Sequence, residues 1–259
     1  MSKDIIPILD GWDHDPDEFQ VRIVVGIDGR DKLQRRLDLG LIQMELSGRP
    51  DGERPFGHES LLDYHRARAK EANVLDEYPL DSDACVDLMR EGVQYYYRYL
   101  AAYHLRRFDL VARDTTRNLE LFAFAVKHAV DRRDKVHFDQ YRPYVTMMRA
   151  RALSSQSLDR DDHAGALKSL DEGIEGIRAF LRDYEQDEDR FQCRELTKLM
   201  NLRREIEQSR PVGPAERLDQ QLELAVVLEN YEEAARIRDQ IARLRGVANS
   251  PAPEDSRPG

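Results

Sequence analysis

The chain has 259 residues, of which 41% are hydrophobic and 35% charged, and its formal net charge is -10 at pH 7. This length accommodates one or two compact domains with appendages. The acidic excess argues against binding to duplex nucleic acid, because such binding depends on clustered positive charge. The apolar run near the N-terminus is only a few residues long, so we expect neither a membrane span nor a signal peptide, and a cytoplasmic location.

Residues 1–57 are predicted to form an N-terminal segment that contains a β-hairpin. Apolar residues alternate over 21–27, the cluster 28–31 turns the chain, and 33–46 returns as the second strand. The apolar positions of that strand shift from odd to even numbers near Gly40, which predicts a β-bulge there. A helix is the alternative for 33–46, because its leucines also recur at helical spacing.

Two parts of this segment resemble ligand sites. The loop 48–60 concentrates charged side chains between glycines and prolines, which makes it the best candidate for a small-molecule or partner site. A plain connection into the following helix is the bland alternative. The aspartates of 13–17 are spaced like the first ligands of an EF-hand loop, but Glu18 stands where that loop requires Gly and Val24 where it requires Glu. We therefore predict no calcium site.

Residues 58–209 are predicted to form an array of helices. Their bounds are placed near 58–75, 83–105, 109–132, 136–157, 163–183 and 187–208. Pro143 either kinks the fourth helix or marks its true start. The apolar pattern that begins at Phe108 returns at His163, an offset of 55 residues. The second copy is similar to the second helix of a tetratricopeptide repeat, with Ala166 as its small residue, although the offset is longer than that family's repeat. This resemblance implies a stack of helical hairpins.

An aromatic run lies within the second predicted helix of the array. Tyr96, Tyr99 and Tyr103 fall on one helical stripe, which favours packing in a core with the hydroxyls at its edge. The alternative is an aromatic groove for a peptide on the concave face of the array.

A helical hairpin is predicted over 215–246, after a linker at 210–214 and before a tail, 247–259, that we expect to be disordered. The turn falls at 229–231, where Asn230 is a good N-cap for the second helix. The inner face of the first helix is predicted to comprise Leu218, Leu222, Ala225 and Val226.

The first helix of this hairpin has more apolar surface than one neighbour can cover. Leu224, Val227 and Leu228 point away from the second helix on a helical wheel. This surplus indicates a protein partner.

The hairpin resembles the UVR domain in several ungapped positions. They are Ala225, Val226, Glu229, Tyr231, Glu232, Ala234, Ala235, Ile237, Arg238, Asp239, Ile241 and Leu244. UVR domains occur in the B and C subunits of the bacterial excinuclease, in regulators of Clp-type ATPases and in activators of protein-arginine kinases. The resemblance implies a bacterial protein whose hairpin pairs with another UVR-type hairpin, from a second copy or from a partner protein.

The sequence therefore predicts a mainly α protein with an N-terminal β-hairpin, a tetratricopeptide-like array and a C-terminal antiparallel helical hairpin. Its predicted function is that of a non-catalytic adaptor, linked to excision repair or Clp-type proteolysis. The predicted partner contacts are Leu218, Leu222, Leu224, Val227, Leu228, Tyr231, Ala234, Ile237, Arg238, Ile241 and Leu244. We predict no catalytic, cofactor or metal residues, because no phosphate-binding loop occurs and Cys85 and Cys193 stand far apart. The alternative is an enzyme or ligand-binding protein with its site at 48–60.

Overall fold

The computed structural model describes residues 4–72, 78–184, 193–209 and 214–248. The protein is mainly helical, with a small three-stranded antiparallel sheet near the N-terminus and a helical hairpin near the C-terminus. The chain divides into two units, Met1–Gln208 and Ser209–Gly259. Most of the predicted linker and the tail beyond residue 248 lie outside the described residues. Within those residues, no helix combines the length and apolar character needed to cross a bilayer.

The sheet consists of β1 (Val21–Val25), β2 (Asp31–Leu37) and β3 (Gly40–Glu45) in that order. The predicted β-hairpin is confirmed by the antiparallel pairing of β1 with β2. The predicted bulge is wrong, because 33–46 forms parts of two strands, and the helical alternative for 33–46 is also wrong. Leu37 pairs with Gly40, so a two-residue turn reverses the chain where the bulge was predicted. The residue numbers of each β2–β3 pair sum to an odd number, so an odd-numbered residue of β2 pairs with an even-numbered residue of β3. Paired residues face the same side of the sheet, which explains why the core-facing positions change from odd to even.

One face of the sheet packs on the helices. Leu33 pairs with Met44, and both are buried in a core that they share with Tyr99. The N-terminal segment, which includes the short helix α1 (Ile6–Leu9), contacts the sheet through Arg22. The guanidinium of this arginine lies 3.9 Å from the ring centre of Trp12 and donates to a backbone carbonyl of α1.

The remaining helices of the first unit follow in sequence. They are α2 (Leu61–Glu71), α3 (Ser82–His104), α4 (Phe108–His128), α5 (Arg132–Asp139), α6 (Arg142–Leu158), α7 (His163–Asp183) and α8 (Arg194–Ser209). Side chains of Ser60, Asp81, Asp131 and Asp162 accept hydrogen bonds at the N-termini of α2, α3, α5 and α7, as N-caps do.

Three of the predicted helices differ from the observed ones. The helix predicted over 58–75 spans only Leu61–Glu71. The helix predicted over 109–132 ends at His128, and the helix predicted over 136–157 is two helices, α5 and α6. Pro143 lies in the first turn of α6, where its missing N–H costs no hydrogen bond, so it marks a helix start. The predicted helix over 187–208 is described only from residue 194 onward.

The α3–α4 and α6–α7 pairs are helical hairpins, and α4 packs against α6. Both α4 and α7 have 21 residues, and they begin at Phe108 and His163, the two positions that the predicted 55-residue offset relates. Gly173 allows α7 to approach α6 closely, because a Cβ at this position would overlap Ala150 and crowd Leu199 of α8. The apolar spacing in the sequence therefore located two equivalent helices.

A buried ion pair joins the sheet to the helices. Arg98 of α3 is 1% exposed and donates two hydrogen bonds, of 2.6 and 2.9 Å, to the carboxylate of Asp114 in α4. Its third nitrogen donates to the carbonyl oxygens of Glu45 and Gly48, at 2.9 and 2.8 Å. Arg98 thus fixes the end of β3 and the loop after it to both helices.

Candidate functional site

The C-terminal hairpin consists of α9 (Pro214–Val227) and α10 (Tyr231–Ala248). Its interior is small and apolar: Ala225, Ala234, Ile237 and Ile241 are buried, and Leu218 and Leu222 pack against them. Alanines at the crossing let the two backbones approach closely. The second helix continues two residues past the predicted end at Gly246.

The turn is specified by backbone hydrogen bonds and one cap. Glu229 has a φ of 53° and its N–H donates to the carbonyl of Val226, while the N–H of Asn230 donates to the carbonyl of Ala225. This pair of bonds is the Schellman arrangement that ends a helix. The side chain of Asn230 then accepts from the N–H of Glu233 at 3.3 Å, so Asn230 caps α10 as predicted.

A stripe of apolar side chains remains on the outside of the hairpin. Leu224, Val227, Leu228 and Tyr231, which we term the outer stripe, are 59%, 72%, 68% and 68% exposed. Leu224, Val227 and Leu228 recur at i, i+3 and i+4 and so share one face at the C-terminal end of α9, and Tyr231 follows beyond the turn as the first residue of α10. Val226, predicted on the inner face, is 51% exposed, so that assignment is wrong; Ala225, one residue earlier, lies in the interior.

Residues 215–247 match the UVR family, described as the UvrB/uvrC motif. The UVR motif is found in excision-repair and Clp-related proteins, which fits a role in protein interaction. No curated protein and no solved structure shows significant similarity to the chain.

Ten of the eleven predicted contact residues fall into two groups in this hairpin. Five hold its two helices together and lie inside it or at the edge of its interior: Leu218, Leu222, Ala234, Ile237 and Ile241. The outer stripe and Arg238 are exposed, and Arg238 lies near Asp239, at 3.6 Å, on the surface of α10. The side chain of Leu244 lies outside the described residues.

The first unit contains a cleft that the sequence did not locate. Its volume is about 650 Å³, and it lies among α3, α4, α5 and α6, with one side chain from the start of α8. The lining comprises Met89, Gly92, Val93, Tyr96, Tyr99, Asn118, Phe122, His137, Gln140, Tyr141, Tyr144, Val145 and Glu195. Tyr96 and Tyr99, which the sequence assigned to a core with a groove as the alternative, both pack on the core and line this cleft.

The loop 48–60 is tied into a buried charge network. Glu91 of α3 is fully buried; its carboxylate accepts from the first two N–H groups of α2, pairs with Arg117 and lies 3.6 Å from Arg49 of the loop. Two polar hollows of about 200 and 290 Å³ flank the loop, but Arg49, Arg66, Arg113 and Arg117 around them pair with carboxylates of the fold. These contacts favour the interpretation of the loop as a structural connection.

The remaining chemistry-bearing groups are potential metal ligands and two cysteines. Within the described ranges, no three His, Cys, Asp or Glu side chains lie close enough together to hold a metal ion. Burial raises the pKa of the Cys85 thiol to about 11, and burial also raises the pKa of Cys193. Neither thiol is therefore primed as a thiolate at neutral pH.

Proposed function

We propose that the protein is an adaptor that binds another protein through the outer stripe of its UVR hairpin. The observation that supports this most directly is the exposure of four large apolar side chains around the turn of a hairpin whose interior is already filled. Each such side chain forgoes about 1.5–3 kcal/mol relative to full burial. An apolar partner surface would recover that free energy.

The occupant that we propose is another UVR-type hairpin, either from a second copy of this chain or from a partner protein. A second hairpin of this kind would bring its own apolar stripe, and two such stripes can interdigitate as helix faces do. The helical hairpins of the first unit, which resemble tetratricopeptide repeats, would then act as a second interaction module. Excision repair and Clp-type proteolysis are the two settings to which the motif points.

The decisive variant replaces Leu224 and Leu228 by Glu. We expect it to lose self-association or partner capture, because two carboxylates would have to be buried at the contact. The matched control replaces Gln240 and Ala242 by Glu, which adds the same charge at exposed positions in the second half of α10, far along the chain from the outer stripe. Light scattering measures the mass of each variant, and pull-down from a bacterial extract with and without the substitutions identifies the partner.

An unchanged mass together with unchanged capture in the leucine variant would refute this role for the outer stripe. Unchanged mass and capture in the control, together with loss of self-association or capture in the leucine variant, would support it. Circular dichroism of both variants must show the same helical content, because loss of the hairpin itself would also end association.

A further inference from the structure

The aromatic cleft of the first unit has an unusual balance of charge. Its lining carries the rings of Tyr96, Tyr99, Phe122, Tyr141 and Tyr144, and Glu195 is the one Asp, Glu, Lys or Arg among the described lining residues. Aromatic faces carry partial negative charge, and the carboxylate adds a full one. The cleft therefore favours cations over anions.

The tyrosines surround part of the cleft at steep angles to one another. The ring of Tyr96 lies 5.5 Å from that of Tyr99 at 87° and 6.2 Å from that of Tyr144 at 59°. Rings that cross in this way do not stack on each other, so a ligand can contact several of them from different sides. Glu195 is near enough to Tyr144 to help raise its pKa, after burial and Tyr96.

Tyr99 is 1% exposed and lines the cleft. Burial raises the pKa of its hydroxyl, so Tyr99 brings no negative charge of its own to the cleft at neutral pH.

We propose that this cleft binds an organic cation, a guanidinium or alkylated ammonium group attached to an apolar body. The carboxylate of Glu195 and the tyrosine faces would hold the charge, and the apolar wall formed by Met89, Val93 and Phe122 would contact the rest. A hard metal ion fits poorly, because it requires several oxygen ligands and the cleft supplies one carboxylate. The cation could belong to a peptide side chain or to a free amine. This site is independent of the hairpin.

The test is a ligand-observed NMR titration of the full-length protein. N-acetyl-arginine amide is the cationic probe, and N-acetyl-citrulline amide is its neutral analogue of the same shape. We expect the arginine probe to bind at least about five-fold more tightly than the citrulline probe. A short peptide with a central Arg is the second arm: tighter binding than the single amino acid identifies a peptide as the source, and equal binding identifies a free amine.

Two variants locate the site. Glu195→Gln should weaken binding of the arginine probe at least about five-fold, whereas Glu205→Gln, an exposed position on the same helix, should leave it unchanged. Tyr96→Leu should weaken it similarly, with thermal unfolding as the folding control. Equal binding of both probes, absence of saturable binding, or an unchanged affinity in Glu195→Gln would each overturn the proposal.

Discussion

Replacing Arg98 by Met tests whether one buried ion pair holds the sheet on the helices. The substitution keeps an unbranched side chain of similar length but removes both hydrogen bonds to Asp114 and both bonds to backbone carbonyls. Breaking a buried pair from one side costs about 3–5 kcal/mol, because the remaining charge stays buried. Arg113 still donates to Asp114 at 2.9 Å, so we expect the lower end of that range, about 3 kcal/mol.

The matched control is Arg90→Met. Arg90 lies on the same helix and pairs with Asp87 at 3.1 Å, but both side chains are largely exposed. Pairs of that kind contribute about 0–1 kcal/mol, so the free energy of unfolding should hardly change. The double variant Arg98→Met and Asp114→Leu should cost less than the sum of its parts, because it leaves no unpaired buried charge.

Urea unfolding measured by tryptophan fluorescence is the appropriate assay. Trp12 is the single tryptophan of the chain and contacts Arg22 of β1, so its emission reports on the first unit. Circular dichroism measured on the same samples follows the helices. If Arg98→Met and Arg90→Met shift the fluorescence midpoint equally, the ion pair does not hold the sheet and our reasoning fails.

Four further outcomes are expected. Gly173→Ala should lower the free energy of unfolding by about 1–3 kcal/mol, because the new Cβ overlaps Ala150. Gly92→Ala, in another helix where the new Cβ makes only ordinary van der Waals contacts, should raise it by about 0.5–1 kcal/mol. Denaturant titration compares the two variants. Burial lowers the pKa of His65 from its ordinary 6.5, so the unfolded chain takes up a proton at higher pH than the folded chain does. The free energy of unfolding should therefore fall as the pH is lowered from about 7.5. His65→Gln should reduce this pH dependence in thermal melts between about pH 7.5 and 5.5. A chain that ends at Gln208 should fold, as near-UV circular dichroism can show; a molten spectrum would contradict the two-unit arrangement. Duplex DNA should not bind at physiological salt, and sub-micromolar, salt-sensitive affinity in fluorescence anisotropy would refute this.

The sequence predicted those features that depend on local spacing. The pair α4 and α7 was predicted because the apolar spacing that begins at Phe108 recurs at His163, and Val111 and Phe122 are buried in α4 as Ala166 and Ile177 are in α7. The turn of the hairpin was predicted because Asn230 is an N-cap whose partner, Glu233, lies three residues away. Such contacts join residues that are close in sequence, so the spacing of residue types alone predicts them.

Features that depend on distant partners were missed. The turn between β2 and β3 contains Asp38 and Leu39 and lacks the usual glycine signal, so the parity change was attributed to a bulge. Arg98 was passed over within a tyrosine run, because its partner Asp114 lies 16 residues away on another helix. A signal was available, since Glu91 and Arg98 are seven residues apart and so flank the same buried stripe of α3. The cleft was not predictable, because five helices line it.

Strand β1 has a consequence for the behaviour of the protein at high concentration. It is an edge strand of sequence Val-Arg-Ile-Val-Val, and Val25 is 72% exposed. Apolar β-branched segments at a sheet edge are templates for pairing with another chain and for aggregation. Arg22, the second residue of this segment, interrupts its apolar run, and a charged side chain on an edge strand opposes pairing with another chain. Loss of that charge would leave an apolar edge strand that favours intermolecular sheet extension.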